Sequence, residues 1–473
     1  MQFLSFQFIV CFTSFFWIYW LFCKNKNSQN LVLLVASYIF YGLYDWRCVP
    51  LLLATSIVAY LAGVFFSKDT RDRTFLSKTS RWWVSFGAVL FSLSILGYFK
   101  YCNFFLKSIS DITGHYYEPY NIILPVGVSF YTFSAISYIV DCYQRKLKPT
   151  QDIVACLLYI SFFPAILSGP IHKATEQLPQ YLKVRIFDEY LTLDGFKDFL
   201  WGAFMKLCVA DRLGMYVDSV YGNLAQHNGT SVLIASIFYT IQIYGDFAGY
   251  SLMAIGCGKM LGIKLQTNFV RPYFSRTITE FWSKWHMSLT GWFKNYVYFP
   301  LGGNRVNKRR WIINILIVFL LSGFWHGAAY TFIIWGAIHG LAQVLEKLLY
   351  GKRIKLIGKE MNVTNILRMF VTFGIVAIAW IFFRIPSLND ATRAILKIFT
   401  SVGTPYVDMH TLLFASISLV IMIIKDVCDE WYPNMSLMQS NKGWISFLTC
   451  LFLVTYIFLM GKLNSDSFIY FQF

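Results

Sequence analysis

The sequence predicts an all-α integral membrane protein with about twelve membrane helices. Of its 473 residues, 57% are hydrophobic and only 14% are charged, whereas soluble domains carry about 25% charged residues. Aromatic residues make up 19% of the chain, which suits membrane helices, because tryptophan and tyrosine concentrate at the lipid–water interface. Lipid takes over the burial of apolar surface, so a single membrane domain over 1–473 is expected.

Apolar runs near the length of a membrane span recur along the chain. A span needs about 20 apolar residues, and several runs are shorter or interrupted, which predicts tilted, re-entrant or cavity-lining segments. The pattern is weakest between 172 and 230, where 194–218 is expected to form an amphipathic or re-entrant helix. The twelve runs are 3–22, 30–45, 49–66, 83–99, 122–142, 153–171, 231–262, 311–325, 329–349, 366–383, 411–425 and 444–460.

The positive charges predict how the chain is oriented in the membrane. The net charge is +17, but lysine and arginine lie in short clusters between apolar runs, which is typical of cytoplasmic loops and not of nucleic-acid binding. Lys24 and Lys26 follow the first run, so the N-terminus is expected outside the cytoplasm. Twelve crossings then place the aromatic tail 461–473 outside and the basic segment 264–310 on the cytoplasmic side.

Several classes of site have no support in the sequence. The ten cysteines are scattered singly, so neither a disulfide framework nor a metal site is indicated, and no bound cofactor is expected. There is no G-x-S-x-G, P-loop, Rossmann or H-E-x-x-H pattern, which leaves hydrolase, NTPase, dinucleotide-binding and metalloprotease functions without a motif.

His326 is the first candidate for chemistry. It lies in Leu-Ser-Gly-Phe-Trp-His-Gly-Ala-Ala at 321–329, between two apolar runs that form a predicted hairpin. Ionisable residues inside a membrane are costly and are therefore functional candidates, and a histidine there can take a proton from a hydroxyl near neutral pH. A structural histidine hydrogen-bonded across helices is the alternative, and the local residues leave both open.

His286 is the second candidate, within the basic segment 264–310. Tryptophans alternate there with basic residues, which suits an anionic and partly aromatic ligand such as a nucleotide-bearing coenzyme. The alternative is an interfacial amphipathic helix that binds anionic lipid headgroups. The cations include Arg271, Lys284, Lys308, Arg309 and Arg310.

Asp246 is an acid inside an apolar run and must pair with another group or face water. It either orients a histidine or stabilises the helix bundle.

These motifs together resemble the membrane-bound O-acyltransferase superfamily, within it the bacterial alginate O-acetyltransferase-like branch. The similarity extends over nearly the whole chain. Its motifs are Pro-Val-Gly-Val-Ser-Phe-Tyr at 125–131, Ser-Gly-Pro-Ile at 168–171, Asp-Phe-Ala-Gly-Tyr-Ser at 246–251, Phe-Trp-Ser-Lys-Trp-His at 281–286, Tyr-Phe-Pro-Leu-Gly-Gly-Asn at 298–304 and Phe-Trp-His-Gly-Ala at 324–328.

The resemblance implies a ring of about twelve tilted helices, with further re-entrant or amphipathic helices, around a tunnel through the membrane. It implies that His326 is the catalytic residue at the waist of this tunnel and that His286 supports it. Asp246, Trp285, Trp325 and Asn304 are the implied tunnel or supporting residues. The basic residues Arg271, Lys284, Lys308, Arg309 and Arg310 would bind the donor.

The resemblance also implies a reaction and a location. An acetyl group would pass from a cytoplasmic thioester, acetyl-CoA or a carrier-protein thioester, to an extracytoplasmic acceptor for polysaccharide O-acetylation. The protein would lie in the bacterial inner membrane among lipids and work with a periplasmic SGNH-type acetyltransferase, with no nucleic-acid partner. A D-alanyl transferase of cell-wall polymers is the nearest alternative.

The C-terminal Ser-Phe-Ile-Tyr-Phe-Gln-Phe at 467–473 carries a further hypothesis. Its rings suit an interfacial anchor. Alternatively, Tyr470 enters the tunnel mouth and relays the acetyl group as an aryl ester, since similar tails occur in this branch and resemble the end of a small partner protein in the D-alanine pathway.

Two functions outside this family are also considered. A polysaccharide or lipid-linked sugar transporter shares the apolar and aromatic composition, but it predicts charged relays within spans and internal repeats, and the sequence has few of the first and none of the second. A structural membrane subunit leaves His326 and the basic, tryptophan-rich segment unexplained.

Overall fold

The computed structural model describes residues 3–71, 77–166, 169–351, 360–432, 435, 437–438, 440, 442–463 and 468–469. Within these ranges the regular structure is helical, as the sequence predicts. The α-helices are α1 Phe6–Phe22, α2 Lys26–Asp45, α3 Val49–Arg71, α4 Lys78–Leu96, α5 Cys102–Thr113, α6 Val128–Tyr143, α7 Ile153–Ser161, α8 Phe163–Ile166, α9 Ala174–Tyr181, α10 Glu189–Phe204, α11 Asp211–Gly222, α12 Gly229–Met260, α13 Ile278–Lys284, α14 Met287–Phe293, α15 Lys308–His326, α16 Tyr330–Tyr350, α17 Val363–Arg384, α18 Leu388–Thr400, α19 Met409–Trp431 and α20 Gly443–Met460. Short 3₁₀ segments lie at Trp46–Cys48 and Pro272–Phe274, and π-helical segments at Gly97–Tyr101, Met205–Ala210 and Lys294–Tyr298.

The predicted membrane architecture is confirmed, with fewer long helices than predicted runs. Seven segments of the described chain are long and apolar enough to cross a membrane: Lys26–Lys68, Lys78–Thr113, Gly229–Met260, Tyr330–Tyr350, Val363–Arg384, Thr411–Trp431 and Gly443–Met460. The first of these contains two of the predicted runs. Others are short, such as the apolar helices Phe6–Phe22 and Ile153–Ile166, or begin with charges, as α15 does with Lys308, Arg309 and Arg310.

The weakly predicted stretch 194–218 forms a nearly continuous helix. α10 leads into the π-helical segment and α11 follows directly. All six residues of Met205–Ala210 are buried, so the middle of this stretch does not have the exposed face expected of an amphipathic helix.

By internal contacts the chain divides into two units, and the first comprises Met1–Phe196 and Ala254–Gln266. A buried arginine organises part of it. Arg185 donates hydrogen bonds to the hydroxyl of Tyr19 at 2.6 Å and to Oδ1 of Asn30 at 2.8 Å. The amide of Asn30 in turn donates to the carbonyl of Tyr181 at 2.7 Å, which ties α2 to α9.

The second unit comprises Lys197–Met253 and Thr267–Phe473 and contains both candidate histidines. Its α15 and α16 form the predicted hairpin. The two helices cross closely at Gly323 and Gly336, because a Cβ on Gly323 would run into the carbonyl of Phe332 and one on Gly336 into that of Phe319. Small residues at such a crossing let helix backbones approach each other in a membrane.

Candidate active site

His286 sits in a strained backbone conformation at the junction of two short helices. Thr277 caps the start of α13, α13 ends at Lys284, and His286 precedes α14 with a φ of 43°. A residue other than glycine in the left-handed region is uncommon, and such strain costs about 1–3 kcal/mol and clusters at functional sites. The turn is held because the amide of Met287 donates to the carbonyl of Asn268 at 2.9 Å.

Asn268 also fixes the tautomer of His286. Its Oδ1 accepts the backbone amide of Ser288 at 3.2 Å and the hydroxyl of Ser288 at 2.9 Å, and it lies 3.1 Å from His286 Nδ1. Its Nδ2 donates to the hydroxyl of Ser251 at 3.2 Å. Because the Asn268 oxygen can only accept, His286 Nδ1 carries the proton and Nε2 presents a lone pair.

The imidazole of His286 is therefore neutral, and its Nε2 can accept a hydrogen bond. Its side chain is fully buried, and burial lowers its pKa to about 3, since a charged imidazolium would lose its hydration. Nε2 is buried and has no hydrogen-bond partner within the described part of the chain. Its ring contacts Phe247 edge-on with a centroid distance of 4.6 Å.

His326 is the last residue of α15 and is also buried. Its ring lies edge-on to Trp335 at 4.9 Å and to Phe383 at 5.3 Å. Gly327, which follows, leaves the helix in an extended conformation where a Cβ would run into the ring of Phe332. The ring centroids of His286 and His326 are 6.3 Å apart, so the structure brings together the two histidines singled out by the sequence.

Both predicted tryptophans lie in the same aromatic cluster. Trp325 contacts both imidazoles, with centroid distances of 6.1 Å to His286 and 4.9 Å to His326. Trp285 is fully buried and packs against Trp380 at 5.1 Å. Rings of this kind exclude water, which strengthens electrostatic interactions at the site.

Asn304 differs from these residues because its side chain is exposed in the turn before α15. The buried amide that holds this turn belongs to Asn314. Its Nδ2 donates to the carbonyls of Leu301 at 3.1 Å and Gly303 at 3.2 Å. The tunnel or supporting role implied for Asn304 stays a prediction.

Asp246 pairs with a lysine and is not hydrogen-bonded to either histidine in the described contacts. Lys206 Nζ lies 2.6 Å from Asp246 Oδ1 and 2.6 Å from Asp211 Oδ1, with all three side chains buried. Of the two roles considered for Asp246, this arrangement favours the structural one.

Sequence reasoning missed Lys206, although a lone lysine within an apolar stretch is a usable signal. Asn268 was also missed, and an isolated asparagine gives no comparable signal.

The five predicted donor-binding cations fall into two groups. Arg271 lies 2.8 Å from Glu430, and Lys284 lies 3.1 Å from Glu430 and from Glu280. Both cations are therefore paired with acidic side chains of the second unit. Lys308, Arg309 and Arg310 are exposed at the start of α15.

A cavity of about 390 Å³ lies beside α14 and α15 in the second unit. Its lining includes Met287, which directly follows His286, as well as Leu289 and the cations Lys294 and Lys347. Among the described residues, no group of three or more histidine, cysteine or acidic side chains is arranged to hold a metal ion. Tyr470, the hypothetical relay, lies outside the described residues, although Phe468 and Ile469 before it are described.

Replacing Asn268 with alanine tests how His286 is oriented. We expect a loss of about tenfold or more in turnover with little change in KM, because one lost hydrogen bond to a buried group costs about 1–3 kcal/mol. Asn268→Asp keeps an oxygen for Nδ1–H and should retain more activity than the alanine variant. Asn314→Ala is the matched control, since it also removes a buried amide but should lower only the unfolding temperature. Equal turnover in the Asn268 and Asn314 alanine variants would contradict the assignment.

The two buried histidines in the aromatic cluster are the candidate catalytic groups of this helical membrane chain. Comparison with known proteins shows the class of enzyme and the family. The family model of MBOAT, the membrane-bound O-acyltransferase family, matches residues 38–384 of the chain. The chain belongs to this family and is an O-acyltransferase, which confirms the resemblance drawn from the sequence motifs.

The chain is also similar to individual enzymes from three bacteria. The chain is 35% identical to the probable alginate O-acetylase AlgI of Pseudomonas aeruginosa over 80% of this chain and 71% of that protein. It is 31% identical to the peptidoglycan O-acetyltransferase of Helicobacter pylori over 96% and 93%. It is also 29% identical to the teichoic acid D-alanyltransferase of Bacillus subtilis over 59% and 74%.

Proposed function

We propose that this O-acyltransferase passes an acetyl group from a cytoplasmic thioester, acetyl-CoA, to an acceptor on the other side of the bacterial inner membrane, for O-acetylation of a polysaccharide such as an alginate-like exopolysaccharide. The main support is the pair of buried histidines 6.3 Å apart. Relatives named as a probable alginate O-acetylase and a peptidoglycan O-acetyltransferase favour acetyl as the group transferred.

The proposed chemistry needs a base for the acceptor hydroxyl, and His326 supplies it. The imidazole takes the hydroxyl proton, the oxygen attacks the thioester carbonyl carbon, the carbon–sulfur bond breaks, and the leaving thiolate takes up a proton. General base catalysis of this kind contributes about 10²–10⁴-fold. His286 adds a second, neutral acceptor nitrogen in the same cluster. A thioester is a higher-energy acyl donor than an oxygen ester, so no nucleotide hydrolysis is required.

The donor requires space and positive charge near the histidines. The cavity of about 390 Å³ is within the range of about 300–1,000 Å³ for small-molecule sites, and its lining residue Met287 is the neighbour of His286. Lys294 and Lys347 could meet the coenzyme phosphates there. The exposed cluster Lys308–Arg310 is the other candidate, since within the described residues it has no acidic partner of the kind that Arg271 and Lys284 have in Glu430.

Tyr470 is proposed to carry the acetyl group from the histidine site towards a periplasmic SGNH-type acetyltransferase. The phenol oxygen would attack the donor carbonyl and lose its proton to His326, and the resulting aryl ester would then acylate a hydroxyl of the partner. The described end of the chain supports this. Phe468 contacts the ring of Phe247 at 5.5 Å, and Phe247 contacts His286 at 4.6 Å.

The donor is tested with the purified full-length chain in lipid vesicles and acetyl-CoA labelled in its acetyl group. We expect the label to become bound to the protein as an ester, with release of one coenzyme A thiol for each group bound. A D-alanyl carrier-protein thioester should give no such label. Labelling by the D-alanyl thioester alone would instead establish the D-alanyl function, which the likeness to the teichoic acid D-alanyltransferase keeps as the second candidate.

Charge reversal locates the donor site in the same assay. If Lys308, Arg309 and Arg310 hold the coenzyme, reversing them raises the KM for acetyl-CoA more than it lowers turnover. The effect should weaken with salt, because exposed charges are screened within about 8–10 Å. Lys294→Glu and Lys347→Glu are the matched variants, and a larger KM effect there would move the phosphates into the cavity.

A further inference from the structure

Three buried charged side chains in the second unit lie next to the described C-terminal residues Phe468 and Ile469. Lys206 from the π-helical segment lies 2.6 Å from Asp211 and 2.6 Å from Asp246. No side chain of the three is more than 4% exposed. Charges are seldom buried to this extent unless each is paired and hydrogen-bonded.

This group carries one negative charge more than Lys206 can balance. Lys206 lies equally close to both carboxylates, so the two acids share one ammonium. The second oxygen of Asp246, Oδ2, accepts the backbone amide of Ile469 at 2.8 Å. Hydrogen bonds to an ionised acceptor are about twice as strong as neutral ones, and this one joins positions 223 residues apart.

Apolar contacts surround the same hydrogen bond. Phe468 is fully buried and packs against Tyr250 at 4.6 Å and Phe247 at 5.5 Å. The ammonium of Lys206 lies 5.6 Å from the centre of the Tyr250 ring. The charged group and the two rings therefore form a pocket that holds both the backbone and a side chain of the tail.

The π-helical segment also holds the start of the tail. The backbone amide of Lys462 donates to the carbonyl of Leu207 at 3.0 Å. Next to this contact, Arg212 of α11 donates to the carbonyl of Met460, the last residue of α20, at 2.8 Å. π-helical turns occur frequently at functional sites. Here the turn provides a carbonyl for the start of the tail and a lysine for the group that binds Ile469.

We propose that Lys206, Asp211 and Asp246 form a docking site for the C-terminal segment of the chain itself, and that Asp246 is a positioning residue that fixes Ile469 beside the histidine site. The docking stands on the contacts described. Its purpose, to place the next residue for acyl transfer, rests on the proposed function. The occupant is this chain's own tail.

The test is stepwise digestion of the full-length detergent-purified protein by a carboxypeptidase, followed by intact mass. In the wild-type chain we expect digestion to stall before Ile469. Asp246→Asn keeps the shape of the side chain but replaces one of the two carboxylate oxygens with an NH₂ group, which cannot accept a hydrogen bond. Because one oxygen binds Lys206 and the other binds Ile469, one of these contacts is lost. We expect digestion past Ile469 to be about tenfold faster, the effect of losing one charge-assisted hydrogen bond.

Asp218→Asn is the matched control, because it also removes a carboxylate from α11 that pairs with a cation, Arg384 at 2.7 Å, but lies outside the docking site. It should be digested at the wild-type rate. Phe468→Ala acts from the tail and leaves the charged group intact, and it should speed digestion even if Asp246→Asn fails to fold. Thermal unfolding of each variant identifies those that fold. Equal digestion of the wild-type chain, Asp246→Asn and Phe468→Ala would overturn the docking site.

Measuring acetyl transfer in the same variants distinguishes the proposed docking site from the proposed transferase function. Faster digestion of Asp246→Asn together with reduced acetyl transfer supports both. Faster digestion with unchanged transfer keeps the docking site and removes the relay role of the tail. Reduced transfer with unchanged digestion overturns the docking role of Asp246 and leaves the transferase proposal standing.

Discussion

Replacing His326 with alanine is expected to lower acetyl transfer by about 10²–10⁴-fold, the usual contribution of a general base. The protein should still fold and insert, because the ring packs against Trp335 and Phe383 and its loss removes contacts at one end of α15 only. The measurement is release of coenzyme A thiol and transfer of labelled acetyl by full-length protein in vesicles. His286→Ala should reduce activity as well, but with a loss of stability, since its backbone and ring are both part of the Asn268 network.

His339→Ala is the matched control for this experiment. His339 is fully buried in the same aromatic cluster, and its Nδ1 accepts a hydrogen bond from the indole of Trp282 at 3.3 Å. We therefore expect its loss to lower the unfolding temperature and to leave most of the turnover. If His326→Ala retained wild-type turnover, or if both variants lost activity in proportion to stability, His326 would not be the base.

Replacing Tyr470 with phenylalanine is expected to stop acetylation of the polymer while the donor is still bound. The variant keeps the ring and removes only the hydroxyl that would carry the acetyl group. Intact-mass analysis of the C-terminal peptide should find one acetyl group on the wild-type chain and none on Tyr470→Phe. An aryl ester is a better acyl donor than an alkyl ester, so onward transfer to a sugar or serine hydroxyl is downhill.

Tyr456→Phe is the control, because it removes a tyrosine hydroxyl that bonds Ser418 at 3.0 Å within the helices. It should keep the acetylated C-terminal peptide. Undiminished polymer acetylation in Tyr470→Phe would mean that the tail acts only as an interfacial anchor, which is the other role open to its aromatic residues.

The membrane fold and the pair of histidines could be predicted because both leave strong local patterns. Hydropathy requires no knowledge of partners, and His286 and His326 each lie in a short motif. The network around them could not be predicted, since it depends on single residues far apart in the chain. Nothing in the sequence around Asn268 indicates a role, because its contact with His286 forms only when the turn at His286 brings the two side chains together.

The pairing of the charged residues could not be predicted from the sequence either. Arg271 and Lys284 appear in the sequence as free cations, because their partner Glu430 lies about 150 positions later, on α19. Asp246 appears as a lone acid, because Lys206 reaches it from a π-helical turn 40 residues earlier. Ion pairs between distant residues decide which charges remain available to a ligand. Local sequence patterns do not reveal these pairs.

The close crossing of α15 and α16 at Gly323 and Gly336 has a consequence for insertions and deletions. His326 follows Gly323 by three residues on the same helix, and each α-helical residue advances by about 1.5 Å and turns by about 100°. Removing or adding one residue between Gly323 and His326 would swing the imidazole to another face of the helix, while the crossing itself stayed in place. Changes in chain length should therefore be tolerated in the exposed turn before α15 and not between the crossing point and the histidine.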